Sequence, residues 1–125
     1  LGSKVPEDLA YAMKVSIEAL ERTREMLIPG AVGEEVEAAG RDRVKINDLG
    51  DYYVYSSCHS VGTVEAEEPV LGPGNRLVLK PDMVFNIDIP LFLAPFGGFR
   101  FEDGFLIIKE GNTKLTGVSL EPVIL

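Results

Sequence analysis

An α+β fold, helices first and sheet second, is predicted by three features of this sequence. Apolar residues recur at helical spacing only in the first part of the chain. Strand formers take over after Asp48-Leu49-Gly50, and two long alternating segments flank a short glycine-containing loop.

Residues 1–5 are read as a tag or a cut end, since Leu1-Gly2-Ser3 carries neither an initiator Met nor a secondary-structure signal. From Pro6 the pattern is helical. Proline suits a first helical position, Glu7 and Asp8 complement the positive helix end, and Leu9, Met13, Ile17, Leu20 and Leu27 recur at three, four or seven residues. Pro29-Gly30 stops this helix. A second, shorter one is expected from about Glu34 into the forties, with Val36, Ala39 and Val44 on its less polar side. Residues 6–50 are thus helical and 51–125 mostly sheet, beginning with the strand formers Tyr52, Tyr53, Val54 and Tyr55. Gly72-Pro73-Gly74-Asn75 is a turn by its chemistry, and Leu77-Val78-Leu79 after it is a short strand or an extended connector. Val84 to Leu93 and Phe99 to Ile108 are the long strands, joined through Ala94-Pro95-Phe96-Gly97-Gly98 as an antiparallel hairpin. A last strand is expected over Thr113 to Val118, after the Glu110-Gly111-Asn112 turn.

The chain of 125 residues suits one domain, and 12 Lys and Arg against 20 Asp and Glu give a net charge of -8. A surface that acidic is repelled by nucleic-acid phosphates and anionic lipid heads, so neither nucleic acid nor a membrane is expected as a partner. Asp88, Pro90 and Pro95 interrupt the longest apolar stretch well short of the ~20 residues of a spanning helix. A lone cysteine, Cys58, fits a reducing compartment, and the cytoplasm is the expected location. Cys58 adjoins His59, but neighbours in a strand point to opposite faces, so it is read as structural. Tyr52, Tyr53 and Tyr55 are read as sheet packing, and Glu65, Glu67 and Glu68 as a solvated loop.

The hairpin carries the chemistry. Alternation puts Phe85, Ile87, Ile89, Leu91 and Leu93 on one face of the first strand and Asn86 and Asp88 on the other. In the second strand Phe99, Phe101, Phe105 and Ile107 share a face, with Asp103 as a polar exception, and Arg100 and Glu102 lie opposite. Pairing about a centre near Pro95 makes residues whose numbers sum to about 190 direct neighbours, which brings Asp88 against Glu102. Two like charges with Cβ atoms roughly 5 Å apart destabilise a sheet unless a proton, an arginine or a metal ion compensates. Arg100, on the same face, is one solution; a hard cation bound by the carboxylates, with His59 as a nitrogen donor, is the other. A register shift of one residue would separate the acids. His59, the sole histidine, lies in the small-residue run Ser56-Ser57-Cys58-His59-Ser60-Val61-Gly62, which leaves space around its ring.

Five segments in order carry a resemblance. They are Pro29-Gly30 after a helix, Cys58-His59-Ser60-Val61-Gly62, Ala66-Glu67-Glu68-Pro69, Pro81-Asp82-Met83-Val84-Phe85-Asn86-Ile87-Asp88 and Arg100-Phe101-Glu102-Asp103. Together they resemble the second half of the pita-bread metallohydrolases, which include methionine aminopeptidase, aminopeptidase P, prolidase and creatinase. The resemblance covers most of the chain. It implies one half of a pita-bread fold, two helices followed by a curved antiparallel sheet, and metal-ligand roles for His59, Asp88 and Glu102 with Mn, Co, Zn or Fe as the divalent metal. Such a site polarises a carbonyl and makes a hydroxide nucleophile from bound water.

Asp88 stands where the family's peptidases have Glu, one methylene longer, and Ala66 stands where they have a His that helps bind substrate. Two further Asp ligands of the family belong to the preceding half of the fold, so the metal is expected to be weakly held or absent in this piece alone. The resemblance therefore implies the C-terminal part of an Xaa-Pro dipeptidase-like hydrolase of C–N bonds, acting on a small peptide or amide in full-length form. In that reading His59 and Arg100 are the catalytic side chains, Arg100 orienting a carboxylate. The alternatives are a metal-free, creatinase-like C–N hydrolase in which His59 is the general acid or base, or a non-catalytic binding module. A half-fold exposes an edge strand and a sheet face, which a second copy or the missing N-terminal half is expected to cover.

Overall fold

The computed structural model describes residues 4–123, without the side chain of Leu93; residues 1–3, read as part of a tag or cut end, lie outside the described residues. Two helices, α1 (Glu7–Met26) and α2 (Gly33–Lys45), precede a 3-10 turn at Gly50–Tyr52. Five strands follow: β1 (Cys58–Ser60), β2 (Glu67–Leu71), β3 (Val84–Ala94), β4 (Gly97–Ile108) and β5 (Gly111–Lys114). They form one open antiparallel sheet in the order β2-β1-β3-β4-β5. Leu77-Val78-Leu79 is the extended connector of the two options, held to the α1–α2 link by a single bridge from Val78 to Val32.

α1 begins with Pro6 at its N-cap, just outside the helix, and carries Glu7 and Asp8 in its first turn and Arg24 in its last. Its core-facing side is not the bulky stripe expected from spacing. Ala12, Val15, Ser16, Ala19, Leu20 and Thr23 are buried, whereas Leu9, Met13 and Ile17 are half-buried. Close helix packing explains the rotation, because small residues are needed where α1 crosses α2. At that crossing a Cβ on Gly40 would stand 2.2 Å from Thr23 Oγ1 and 3.2 Å from the Ala19 carbonyl oxygen. Gly40→Ala therefore gains helix propensity of about 1 kcal/mol and loses more to overpacking. We expect a net destabilisation of about 1–2 kcal/mol in urea unfolding, opposite in sign to the propensity effect.

The helices cover one face of the sheet. Cys58, Leu71, Phe85, Ile87, Ile89, Leu91, Phe105 and Ile107 are buried beneath them, as alternation requires, and Phe99 and Phe101 pack against the margin of that core. Leu93, assigned to the same face, lies outside the described side chains. The hairpin register pairs Ile87 with Asp103, Asp88 with Glu102 and Ile89 with Phe101, so the two acids are direct neighbours. Only Pro95-Phe96 separates the strands, and Gly97, at φ +100, takes the backbone conformation this tight turn demands. Pro90 sits inside β3 without cost: amides of even-numbered β3 residues face β1, as Asp88 shows by donating to the Ser57 carbonyl, and β1 ends before it reaches Pro90.

Two expectations change. Tyr52, Tyr53, Val54 and Tyr55 form no strand; a 3-10 turn ends at Tyr52 and residues 53–57 run irregularly into β1. Their tyrosine hydroxyls supply the reason, since Tyr53 donates to Glu37 and Tyr55 to Asp88, holding the backbone away from the ladder. The last strand is Gly111–Lys114 and not Thr113–Val118, because the tight turn at Lys109-Glu110 lets pairing with β4 start at once, at Ile108 against Gly111.

Candidate active site

The face of the sheet away from the helices gathers the polar residues of the hairpin. β1 pairs Cys58 with Ile87 and His59 with Asn86, so His59 projects from the same face as Asn86, Asp88 and Glu102 while Cys58 points into the core. Cys58 is completely buried, which pushes its thiol well above the usual range and leaves it inert. A cleft of about 480 Å³ opens over this face, lined among others by Tyr55, His59, Ala66, Asp88 and Arg100.

Within it Asp88 is the most enclosed acid, 2% exposed. Its Oδ2 lies 3.8 Å from His59 Nε2, 3.3 Å from Arg100 Nη1 and 3.4 Å from the Tyr55 hydroxyl, which donates to it. Its Oδ1 is buried with no hydrogen-bond partner. Glu102 is satisfied on both oxygens: Asn86 Nδ2 donates to Oε1 at 2.6 Å, and Arg100 Nη2 lies 2.7 Å from Oε2. Arg100 also reaches Glu65 at 3.2 Å. The positive charge that the paired acids require is therefore supplied in part by Arg100, which bridges them diagonally across the hairpin. Contact with Tyr55 is the main cause that holds this guanidinium charged, and the carboxylates of Glu102 and Asp88 add to it. His59 Nδ1 lies 3.0 Å from the carbonyl oxygen of Ser60, and its Nε2 faces Asp88.

Burial pushes the Asp88 carboxyl up to about 6, against the opposing charges of His59 and Arg100. A carboxyl raised from 3.8 keeps its proton in the folded chain at pH values where the unfolded chain has lost it. The cost of ionising Asp88 is absent below about pH 4 and grows as pH rises through about 6, to at most ~3 kcal/mol at neutral pH. Asp88→Asn is expected to exceed the parent in thermal stability at pH 7 and to match it at pH 4; the pH dependence of Tm in both proteins checks this.

A divalent cation asks for converging oxygen and nitrogen donors. The Asp88 carboxylate, with its buried Oδ1 unpartnered and its Oδ2 3.8 Å from His59 Nε2, meets that requirement in part. Glu102 is on the same face, with its oxygens turned to Asn86 and Arg100. Among the described residues no three His, Cys, Asp or Glu side chains converge into a group that could hold a metal ion.

Reading the sequence missed Tyr55, placed in sheet packing, and Asn86, left without a role. It also left Glu65 in solvent, where it is 71% exposed yet pairs with Arg100. Ala66 leaves only a methyl group on the cleft wall. Among the described residues no helix is long and apolar enough to cross a membrane.

A family model described as metallopeptidase family M24 matches residues 1–109. Over 97 residues the chain is 33% identical to an uncharacterized peptidase, YqhT, of Bacillus subtilis, covering 78% of this chain and 28% of that protein. It is 32% identical over 108 residues to the Xaa-Pro dipeptidase of Pyrococcus furiosus, covering 86% of this chain and 31% of that one. The crystal structure of dipeptidase PepE from Mycobacterium ulcerans superposes with a TM-score of 0.92 at 25% identity, over 98% of this chain and 33% of that one. The chain spans about a third of the length of the relatives it matches. Two helices and an open antiparallel sheet, superposing on one part of pita-bread proteins, agree with the fold class read from the sequence.

Proposed function

This chain belongs to metallopeptidase family M24, and from that premise we propose that it is the C-terminal part of a metal-dependent hydrolase of Xaa-Pro type peptide bonds. The observation that carries the reading is the enclosed Asp88 carboxylate, whose Oδ1 is unpartnered and whose Oδ2 lies 3.8 Å from His59 Nε2, with its β-paired neighbour Glu102 on the same face. His59, Asp88 and Glu102 would hold a divalent metal, Mn, Co, Zn or Fe, together with donors from outside the described residues. When bound, the metal would polarise the scissile carbonyl and lower the pKa of an attacking water.

The chain's own residues do the rest. Arg100 fixes the carboxylates of Asp88 and Glu102 and prevents their mutual repulsion. Tyr55 and Asn86 each donate one hydrogen bond, to Asp88 and Glu102 respectively, and set the rotamers of these acids. The cleft of about 480 Å³ opens over Asp88, and Ala66 adds no polar group to it. The test is hydrolysis of an Xaa-Pro dipeptide by the intact gene product. Chelator-sensitive cleavage restored by added Mn2+ is the expected result, and cleavage indifferent to chelation would turn the reading away from metal.

One observation favours a second reading. Arg100 already neutralises the acid pair, as in a metal-free hydrolase where His59 works as general acid or base and the carboxylates grip a cationic substrate group. Cleavage that survives chelation and is lost with His59→Ala would select it.

A further inference from the structure

We infer that Glu37 and Tyr53 are positioning residues for Asp88, acting through the segment that joins the 3-10 turn to β1. The inference rests on the proposed role of Asp88 only for its purpose; the placement itself is tested without metal or turnover.

Glu37 lies on α2, completely buried, an unusual site for a carboxylate. Its Oε1 accepts a hydrogen bond from the Tyr53 hydroxyl at 3.0 Å and its Oε2 one from Arg41 Nε at 3.0 Å. Burial, and then the charge of Glu37, push the Tyr53 hydroxyl above its usual range, so it remains a donor. Tyr53 begins an irregular stretch that reaches β1 at Cys58 and belongs to no strand. This stretch touches Asp88 twice: the Ser57 carbonyl accepts the Asp88 amide at 2.8 Å, and the Tyr55 hydroxyl donates to Asp88 Oδ2 at 3.4 Å.

Five residues outside any strand thus hold both the backbone and the side chain of Asp88, and their far end is tied to the helix layer by the packing of the Tyr53 ring and by the hydrogen bond of its hydroxyl to a buried acid. Stability does not account for that acid. Exchanging a buried charged group and its partners for apolar residues of like shape is commonly neutral or stabilising. What the polar arrangement supplies instead is a fixed position, in three dimensions, for the wall of the cleft. Without the Tyr53 anchor the stretch is free to lift, and Asp88 loses its amide acceptor before the rest of β3 loses anything.

Amide hydrogen exchange followed by NMR on the metal-free intact gene product reads this directly. In Tyr53→Phe the exchange rate of the Asp88 amide, taken relative to those of Ile87 and Ile89, is expected to rise about tenfold, because local opening adds to whatever global stability is lost. Glu37→Gln keeps the acceptor oxygen and is expected to leave that ratio within about twofold of the parent. Glu37→Met removes the acceptor without touching the tyrosine and is expected to repeat the Tyr53→Phe pattern, so a poorly folded Tyr53→Phe does not close the question. An unchanged ratio in both Tyr53→Phe and Glu37→Met, or equal acceleration of all three amides, overturns the inference. Because no metal is present, that failure is separate from a failure of Asp88 to bind one.

Discussion

Asp88→Asn in the intact gene product is expected to abolish Xaa-Pro hydrolysis, with kcat/KM falling at least ~100-fold, while the protein becomes more stable at neutral pH. The two effects have one origin. Asp88 is 2% exposed and its Oδ1 has no partner, so the ionised form is costly in the folded chain, and burial raises its pKa to about 6. An amide of the same shape removes that cost. It also removes the negative oxygen that a metal would need, and puts a neutral group beside His59 and Arg100. A residue that serves only to hold the sheet together would show the reverse, a loss of stability on substitution. Steady-state kinetics together with Tm at pH 7 separate the two cases: inactive and more stable is the expected result, inactive and less stable is the result of a merely structural acid.

Asp103 supplies that structural case one rung along the same hairpin. It is the polar exception on the apolar side of β4, 4% exposed, opposite Ile87. Unlike Asp88 it is fully met: Lys114 Nζ lies 2.6 Å from Oδ2, and Oδ1 accepts from the Thr116 hydroxyl and from the Gly104 amide, each at 2.9 Å. Removing it leaves the Gly104 amide and the Thr116 hydroxyl without their acceptor, and the Lys114 ammonium, 32% exposed and also bound to the Val118 carbonyl, without its counter-charge. Asp103→Ala is expected to cost about 2–3 kcal/mol in urea unfolding, for buried donors left unmet, below the range for a fully buried pair because Lys114 remains partly in water. The double variant Asp103→Ala, Lys114→Met should recover only the part of that loss owed to the ion pair, since the Gly104 and Thr116 donors remain unmet. A cost below about 1 kcal/mol for the single variant would place the pair among exposed ones, which contribute little.

The hairpin was the most legible part of the sequence. Strict alternation from Phe85 to Leu91 and a short glycine-containing turn leave one register that buries the aromatic face, and that register alone sets Asp88 against Glu102. The helices were legible in extent but not in orientation. Bulk drew attention to Met13 and Ile17, whereas close packing at Gly40 selected the small residues of α1. Tyr52 to Tyr55 read as a strand because propensity records the ring and not the hydroxyl, and here the hydroxyls of Tyr53 and Tyr55 decide the backbone path. Glu37 drew no reading from the sequence, since no local pattern distinguishes an acid turned inward toward a distant tyrosine. Within the site, His59, Asp88, Arg100 and Glu102 were found from spacing and pairing. Asn86 and Tyr55 were not, because their roles exist only once the strands are assembled.

Divalent-metal affinity is the most direct measure of the account. Mn2+ binding to the intact gene product, followed by calorimetry in the parent, Asp88→Asn and His59→Ala proteins, is expected to weaken at least ~100-fold in each variant, as loss of an inner ligand requires. Equal Mn2+ affinity in all three would contradict it, leaving Asp88 and His59 as neighbours in a cleft and not as ligands.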